Sequence, residues 1–238
     1  MNVLTRLWDH VYASQPAPPA WVVGVTALTA LLLVLNTASW RLAGQVITIA
    51  HEGGHALVSV LSGRRLEGIR LHADSSGVTY SRGKRRGPGL VLTAAAGYVT
   101  PPLLGAGAAA LLAVRHPAAL LWLALVLLAA TFLAVRNAFG ALAVLVTAAG
   151  VFAVSYYASA AVQAGFAYLA AWFLLLGGMR PALELTRRRR GSRSGSRSGL
   201  SDADQLARLT GVSRGVWVTA FVLIAAAALA LGTRLLVP

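Results

Sequence analysis

The amino-acid sequence predicts an all-α polytopic membrane protein with about six to seven transmembrane helices and one short β-hairpin after the second helix. Three observations support this fold class. Only 12% of the 238 residues are charged and 57% are hydrophobic, whereas soluble domains carry about 25% charged residues. The mean hydropathy is +0.69. Long charge-free stretches recur along the chain, so lipid accounts for the apolar surface better than one buried core does.

The expected spans follow from the gaps between charged residues, because a helix needs about 20 apolar residues to cross the hydrocarbon core. The charge-free stretch 137–179 is too long for one helix and is divided near Tyr156 and Tyr157, since paired tyrosines suit a membrane interface. The two halves of this stretch count as two spans. Five further spans are expected at 21–40, 42–61, 89–114, 118–135 and 216–232, which makes seven. The first run exceeds the about 7–15 residues of a signal-peptide core and is interpreted as a signal anchor.

Basic residues predict the orientation and account for the formal net charge of +14. With a cytoplasmic N-terminus, all but three of the 21 basic residues fall in cytoplasmic segments, the exceptions being Arg41, Arg115 and Arg234. The positive-inside rule describes this distribution. The sequence therefore predicts a multi-pass protein of the cell membrane, with the lipid bilayer as a partner.

Two polar segments interrupt the spans. Residues 68–81 alternate apolar and polar side chains around the turn residues 74–77, which predicts a β-hairpin. Residues 181–200 are rich in Arg, Ser and Gly and are expected to form a flexible cytoplasmic linker that can touch anionic lipid headgroups. This stretch has no aromatic residue for base stacking, so no nucleic acid partner is expected. The linker would separate a membrane-embedded core, 1–180, from a short amphipathic helix and the last span in 201–238.

The sequence His51-Glu52-Gly53-Gly54-His55 lies in the second expected span. At about 100° per residue the two histidines are about 40° apart and one helical turn removed, so both imidazoles can reach one metal ion. Glu52 can approach a metal-bound water as a general base without being a ligand. Cysteine is absent, which leaves His and carboxylate as transition-metal ligands. The two glycines either let another backbone or a substrate come close to the metal or serve ordinary packing between membrane helices.

This motif, His-Glu-x-Gly-His in a membrane helix, resembles the site-2 protease family of intramembrane zinc metallopeptidases, in particular its small bacterial branch without a PDZ domain. Three further stretches are similar to that branch and extend the resemblance over most of the chain: Ala96-Gly97-Tyr98, Arg136-Asn137 and Ser201-Asp202-Ala203-Asp204. The resemblance implies a zinc ion (Zn²⁺) as cofactor, Glu52 as catalytic base and the bacterial plasma membrane as location. It also implies regulated intramembrane proteolysis of membrane-spanning substrates, such as anti-sigma factors or signal-peptide remnants.

A catalytic zinc normally has three protein ligands, and the resemblance implies an Asp from a later membrane-associated segment as the third, beside His51 and His55. Asp202 is the expected ligand and Asp204 the second choice. The Asn-Pro-Asp-Gly-like motif of better-known members is missing here. Ser201 and Asp202 could equally be ordinary caps of the amphipathic helix that follows, so both interpretations of Asp202 stay open at this point.

Other residues and other functions are also open. His72 and Asp74 in the hairpin are alternative metal ligands, although an exposed loop is the simpler interpretation. Asn137 could donate to an oxyanion or cap a helix end. We expect extended substrate to pair with the hairpin edge by β-augmentation. The alternatives to a protease are a proton- or metal-ion-translocating protein and a catalytically silent membrane scaffold. The sequence carries no signal for an oligomeric state.

Overall fold

The structure is a computed structural model that describes residues 14–187 and 201–237. In these parts of the chain, eight helices and one two-stranded sheet are present. In chain order they are α1 (Ala20–Leu35), α2 (Thr37–Leu61), β1 (Arg65–Leu71), β2 (Gly77–Arg82), α3 (Pro88–Ala113), α4 (Pro117–Ala134), α5 (Ala138–Tyr157), α6 (Ala160–Arg187), α7 (Asp202–Thr210) and α8 (Arg214–Leu236). The predicted fold class, an all-α polytopic membrane protein with a short hairpin, is confirmed.

The number of membrane crossings is lower than the seven expected. Within the described residues, α3, α4, α5, α6 and α8 are each long and apolar enough to span a bilayer, and α1 and α2 qualify only as a pair bent by 102°. This makes five spans, or six with the bent pair. The apolar run breaks at Asn36, whose side-chain oxygen accepts hydrogen bonds from the amides of Ala38 at 2.9 Å and Ser39 at 3.1 Å and so begins α2 in a new direction.

The bundle has two ends, which we call the hairpin end and the opposite end. At the hairpin end α2 finishes beside the start of α3, where a Cβ atom at Gly89 would lie 3.1 Å from Ser62 Cβ. At the opposite end, after α3, the carbonyl of Arg115 accepts a hydrogen bond from the amide of Gln15 at 2.9 Å. The segment 14–19 therefore lies at the end opposite the hairpin, whereas seven separate spans would have put both on one face.

The hairpin lies along α2, and its two edges differ. The strands β1 and β2 pair antiparallel with Ile69 opposite Thr79. The side chains of Ile69 and Leu71, both on β1, are fully buried. The amide of Arg136 donates to the carbonyl of Ile69 at 2.8 Å, so the stretch 135–137 covers the outer edge of β1. Within the described chain no strand covers the other edge, which belongs to β2.

Helix α6 lies at the centre of the bundle and packs against α1, α3 and α8. It continues to Arg187, which corrects the predicted linker: residues 181–187 are helical because Ala182 and Leu185 are buried against Phe221 of α8. The rest of that linker, 188–200, lies outside the described residues.

Candidate metal centre

Two histidine side chains meet on one turn of α2. The Nε2 atoms of His51 and His55 are 3.1 Å apart. The Nδ1 atom of His55 lies 2.6 Å from the carbonyl oxygen of Thr93 on α3. A carbonyl can only accept, so Nδ1 carries the proton and Nε2 of the neutral ring keeps its lone pair for the centre of the cluster. The main chain of α3 thus selects the tautomer that suits a metal ligand.

Helix α3 approaches this turn so closely that only glycine fits at two positions. A Cβ atom at Gly97 would lie 2.4 Å from Nε2 of both His51 and His55. A Cβ atom at Gly54, on α2, would lie 2.2 Å from the hydroxyl of Thr100. Gly54 therefore serves the packing of α2 against α3, one of the two interpretations that the sequence left open. Gly53 has no such close neighbour, since its nearest contact is 3.5 Å away.

The third group of the cluster is Asp202, at the first position of α7. Its Oδ2 atom lies 3.1 Å from Nε2 of His51 and 3.2 Å from Nε2 of His55. Burial raises the pKa of the Asp202 carboxyl, but hydrogen bonds and opposite charge from the two histidines in their protonated form outweigh burial and hold that pKa below its usual value. Asp202 is therefore an anion that faces two imidazole nitrogens.

Asp204, the second choice, lies elsewhere. Its Oδ2 atom accepts from the hydroxyl of Ser201 at 2.6 Å, and Ser201 accepts in turn from the amide of Asp204, which forms a capping box. Its Oδ1 atom pairs with Arg214 Nε at 3.2 Å. The sequence left open whether this stretch caps the helix or supplies a metal ligand. In the structure Ser201 and Asp204 cap the helix, and Asp202 faces the histidines.

The donor set fits a zinc ion. Ligand atoms from His51, His55 and Asp202 lie within 4.8 Å of one another. Two ligands at about 2.0–2.1 Å from a tetrahedral zinc are about 3.3 Å apart, close to the 3.1–3.2 Å separations seen here. The cluster could therefore hold one metal ion with little movement of its side chains.

Glu52 is buried beside the cluster, beneath the hairpin. Only 4% of its surface is exposed, and its Oε2 atom accepts a hydrogen bond from the hydroxyl of Thr79 on β2 at 2.7 Å. A Cβ atom at Gly77 would lie 2.6 Å from Glu52 Cγ, so β2 can rest on this side chain only because position 77 is glycine. The hairpin thus fixes the carboxylate that the motif places next to His51.

A cleft of about 540 Å³ opens onto these groups. Its walls come from α2, β2, α3 and α7, and include Glu52, Thr79 and Asp202. The ring of Tyr98 on α3 lines the cleft and meets His51 edge-on, with 4.8 Å between ring centroids. The cleft therefore joins the cluster to the edge of β2.

The remaining candidates lie outside the cluster. His72 and Asp74 are exposed in the hairpin turn, where Asp74 Oδ1 accepts from the amide of Ser76 at 3.1 Å. Asn137 pairs with the backbone of Leu71 through two hydrogen bonds, Leu71 N to Oδ1 at 3.1 Å and Nδ2 to Leu71 O at 2.8 Å. Asn137 therefore holds the covered edge of β1 and does not line the cleft.

Sequence reasoning missed Thr79 and Thr93, which orient Glu52 and His55. Thr79 lies on the inward face of an alternating strand, so the two-residue period could have identified it. Thr93 contributes a main-chain carbonyl, which every residue carries, and no sequence signal marks it.

A membrane bundle with a His-His-Asp cluster beside a buried glutamate defines the class of membrane-embedded metallopeptidases. The model of the Peptidase M50B-like family matches residues 24–232, and the chain belongs to this family. The resemblance to the site-2 proteases is thereby confirmed. No curated protein and no solved structure matches the chain.

Proposed function

We propose that this protein is a zinc endopeptidase that hydrolyses peptide bonds of membrane-spanning substrates. The observation that carries the proposal is the convergence of His51, His55 and Asp202 beside the buried carboxylate of Glu52 in one cleft. Two imidazoles and one carboxylate are a common ligand set of catalytic zinc, which keeps a further position open. His51, His55 and Asp202 would hold the metal.

The chemistry divides between the metal and Glu52. Zinc in such a site acts as a Lewis acid that activates water and polarises a carbonyl. Glu52 is the general base: its Oε2 atom is held by Thr79, so Oε1 accepts the proton of the attacking water and later gives it to the leaving amine. Thr79 thus acts as a positioning residue for the carboxylate.

The free edge of β2 supports substrate binding in an extended conformation. The amide of His72 donates to the carbonyl of Ser76 at 2.8 Å, so, by the alternation of antiparallel pairing, the backbone groups of Gly77 and Thr79 point away from β1. No backbone group elsewhere in the described residues pairs with them. A substrate segment that has unwound can add to this edge beside Glu52.

Substitutions that remove backbone N–H groups from the substrate test this binding mode. Proline placed in turn at successive positions of a substrate should block cleavage at every second position, because only alternate amides donate to β2. Equal sensitivity at neighbouring positions would contradict pairing with the strand. A Gly77 variant is a poor test, because any side chain at position 77 also displaces Glu52.

The positive-inside rule supports an orientation with the hairpin end in the cytoplasm. Arg64, Arg65, Arg82 and the basic stretch 84–86 all lie at this end. The segment 14–19 then lies on the outer side of the plasma membrane. This reverses the cytoplasmic placement that seven spans had predicted, because the bent pair α1 and α2 crosses the membrane once.

The test of the proposed function compares the wild type with Glu52→Gln in purified, zinc-loaded form against single-span substrates in liposomes. Glu52→Gln should keep the zinc content and lower the cleavage rate by about 10²–10⁴-fold, the usual contribution of a general base. Glu184→Gln is a matched control, since Glu184 pairs with Arg180 away from the cleft, and it should cleave like the wild type. Equal cleavage by the wild type and Glu52→Gln would refute the mechanism.

A further inference from the structure

The cleft has a second charged end, formed by Arg64. This residue follows α2 and lines the same cleft as His51, Glu52 and Asp202. Its side chain is half-buried and fixed: Nε donates to the hydroxyl of Ser81 at 3.2 Å, and Nη1 donates to the carbonyl of Lys84 at 2.7 Å. The guanidinium is therefore held against the end of β2.

The charge of Arg64 is not balanced by the part of the chain that the structure describes. None of its carboxylates forms an ion pair with Arg64. A guanidinium has five N–H groups. Arg64 uses three of them, one on each nitrogen, in the bonds to Ser81 and Lys84, which include a long bond of 3.5 Å to Ser81 O. The other N–H groups are left for a further acceptor. Lys84, Arg85 and Arg86 are exposed nearby and add to the positive potential.

The register of β2 relates Arg64 to the reaction centre. Thr79 contacts Glu52, and Ser81, two residues further along the strand, contacts Arg64. Two residues of a strand span about 7 Å. In a substrate strand paired with β2, one residue lies opposite Thr79, and the residue two positions away from it lies opposite Ser81. The side chain of this second residue would therefore lie close to the guanidinium, on the flank that leads to the hairpin end.

We infer that Arg64 determines substrate specificity by selecting an acidic side chain on the flank of the cleavage site that leads to the hairpin end. The inference rests on the proposed function. Aspartate or glutamate there gains a charge-assisted hydrogen bond. Lysine or arginine meets like charge, and basic residues are what most single-span proteins carry on the cytoplasmic flank of their span. Arg64 thus disfavours the many single-span proteins with a basic flank and favours the few with an acidic residue at this position.

The test uses full-length protein in liposomes and a single-span reporter with Asp, Asn or Lys at each of four successive flank positions. At one or two of these positions the wild type should cleave the Asp reporter about tenfold or more faster than the Lys reporter, with Asn between them. Arg64→Gln should remove the preference, and Arg64→Glu should reverse it. Arg70→Gln is the matched control, because Arg70 is an exposed hairpin arginine that does not line the cleft, and it should keep the wild-type ratio.

The ratio of Asp to Lys cleavage is measured within each variant, so a partial loss of folding or overall activity cancels. Cleavage of all three reporters with no charge preference, or a preference that survives in Arg64→Glu, would overturn the inference and leave the protease function standing. No cleavage of any reporter by the zinc-loaded wild type would overturn the proposed function and the inference together.

Discussion

The two sides of the candidate metal centre are built in different ways. His51 and His55 lie on one turn of α2, a 25-residue helix, and are held by the main chain of α3 through Thr93 and the close approach at Gly97. Asp202 lies on α7, a nine-residue helix that crosses no membrane. The contacts that position Asp202 lie elsewhere on α7, in the cap and the ion pair of that helix.

The difference shows which part of the centre tolerates change. On the histidine side, backbone atoms set the geometry, and a single added methyl group has no space. On the aspartate side, the position of the Asp202 carboxylate depends on the capping box of Ser201 and Asp204, the pair of Asp204 with Arg214, and the burial of Leu206. The cap and the ion pair each contribute only about 1 kcal/mol, and the burial of Leu206 contributes roughly 2 kcal/mol. Changes on the histidine side should therefore act abruptly, and those on the aspartate side gradually.

Among residues that are not proposed ligands, the largest effect on zinc binding is expected for Gly97→Ala. The new Cβ atom would lie 2.4 Å from both Nε2 atoms, so zinc affinity should fall by about 100-fold or more, at the upper limit of changes outside the ligands themselves. Gly107→Ala is the matched control in the same helix, with no atom within 4 Å of its Cβ position, and should bind zinc like the wild type. Chelator competition measures both. Normal zinc affinity of Gly97→Ala would show that the histidine side is not rigid.

A smaller effect is expected for Ser201→Ala on the aspartate side. The substitution removes the N-cap of α7, at a cost of about 1 kcal/mol, which corresponds to about fivefold weaker zinc binding. Ser213→Ala removes the equivalent cap of α8, a spanning helix that the bilayer stabilises, and should change zinc affinity less. A loss of zinc as complete as in Gly97→Ala would remove the contrast between the two sides.

The smallest effect on the metal is expected for Thr48→Val on α2. The hydroxyl of Thr48 donates to the carbonyl of Ser75 in the hairpin turn at 2.9 Å, so its loss should loosen β2 by about 1 kcal/mol and slow cleavage a few-fold with zinc affinity unchanged. Thr147→Val is the control, because its hydroxyl bonds only within its own helix, to Ala143. Weaker zinc binding in Thr48→Val would mean that the hairpin and metal faces of α2 are coupled.

The same contrast explains what could be predicted from the sequence. The helical period alone brings His51 and His55 together, and alternation with turn residues predicts the hairpin. Asp202 is 147 positions from His55, and no local period connects them. Only the family resemblance chose it over Asp204, and the structure separates the two because the capping box and Arg214 engage Asp204.

Two features of the fold escaped prediction for related reasons. Hydropathy measures the length of an apolar run and not its direction, so 21–40 and 42–61 resembled two crossings. The bend depends on Asn36, whose capping of α2 the counting of charges does not detect. Likewise, the basic residues after Arg180 suggested an early end of α6. Burial of Leu185 by α8 continues the helix, and this contact joins distant parts of the chain.

The most direct test of the account is the zinc dissociation constant of Asp202→Asn compared with Asp204→Asn. Both substitutions are isosteric and remove one negative charge from the same helix, but only Asp202 faces the histidines. Asp202→Asn should weaken zinc binding by more than about 100-fold, beyond the usual range for residues that only support a ligand, and Asp204→Asn should weaken it by less than about tenfold. Zinc bound equally well by Asp202→Asn and the wild type, or lost to the same extent in both variants, would contradict a centre formed by His51, His55 and Asp202.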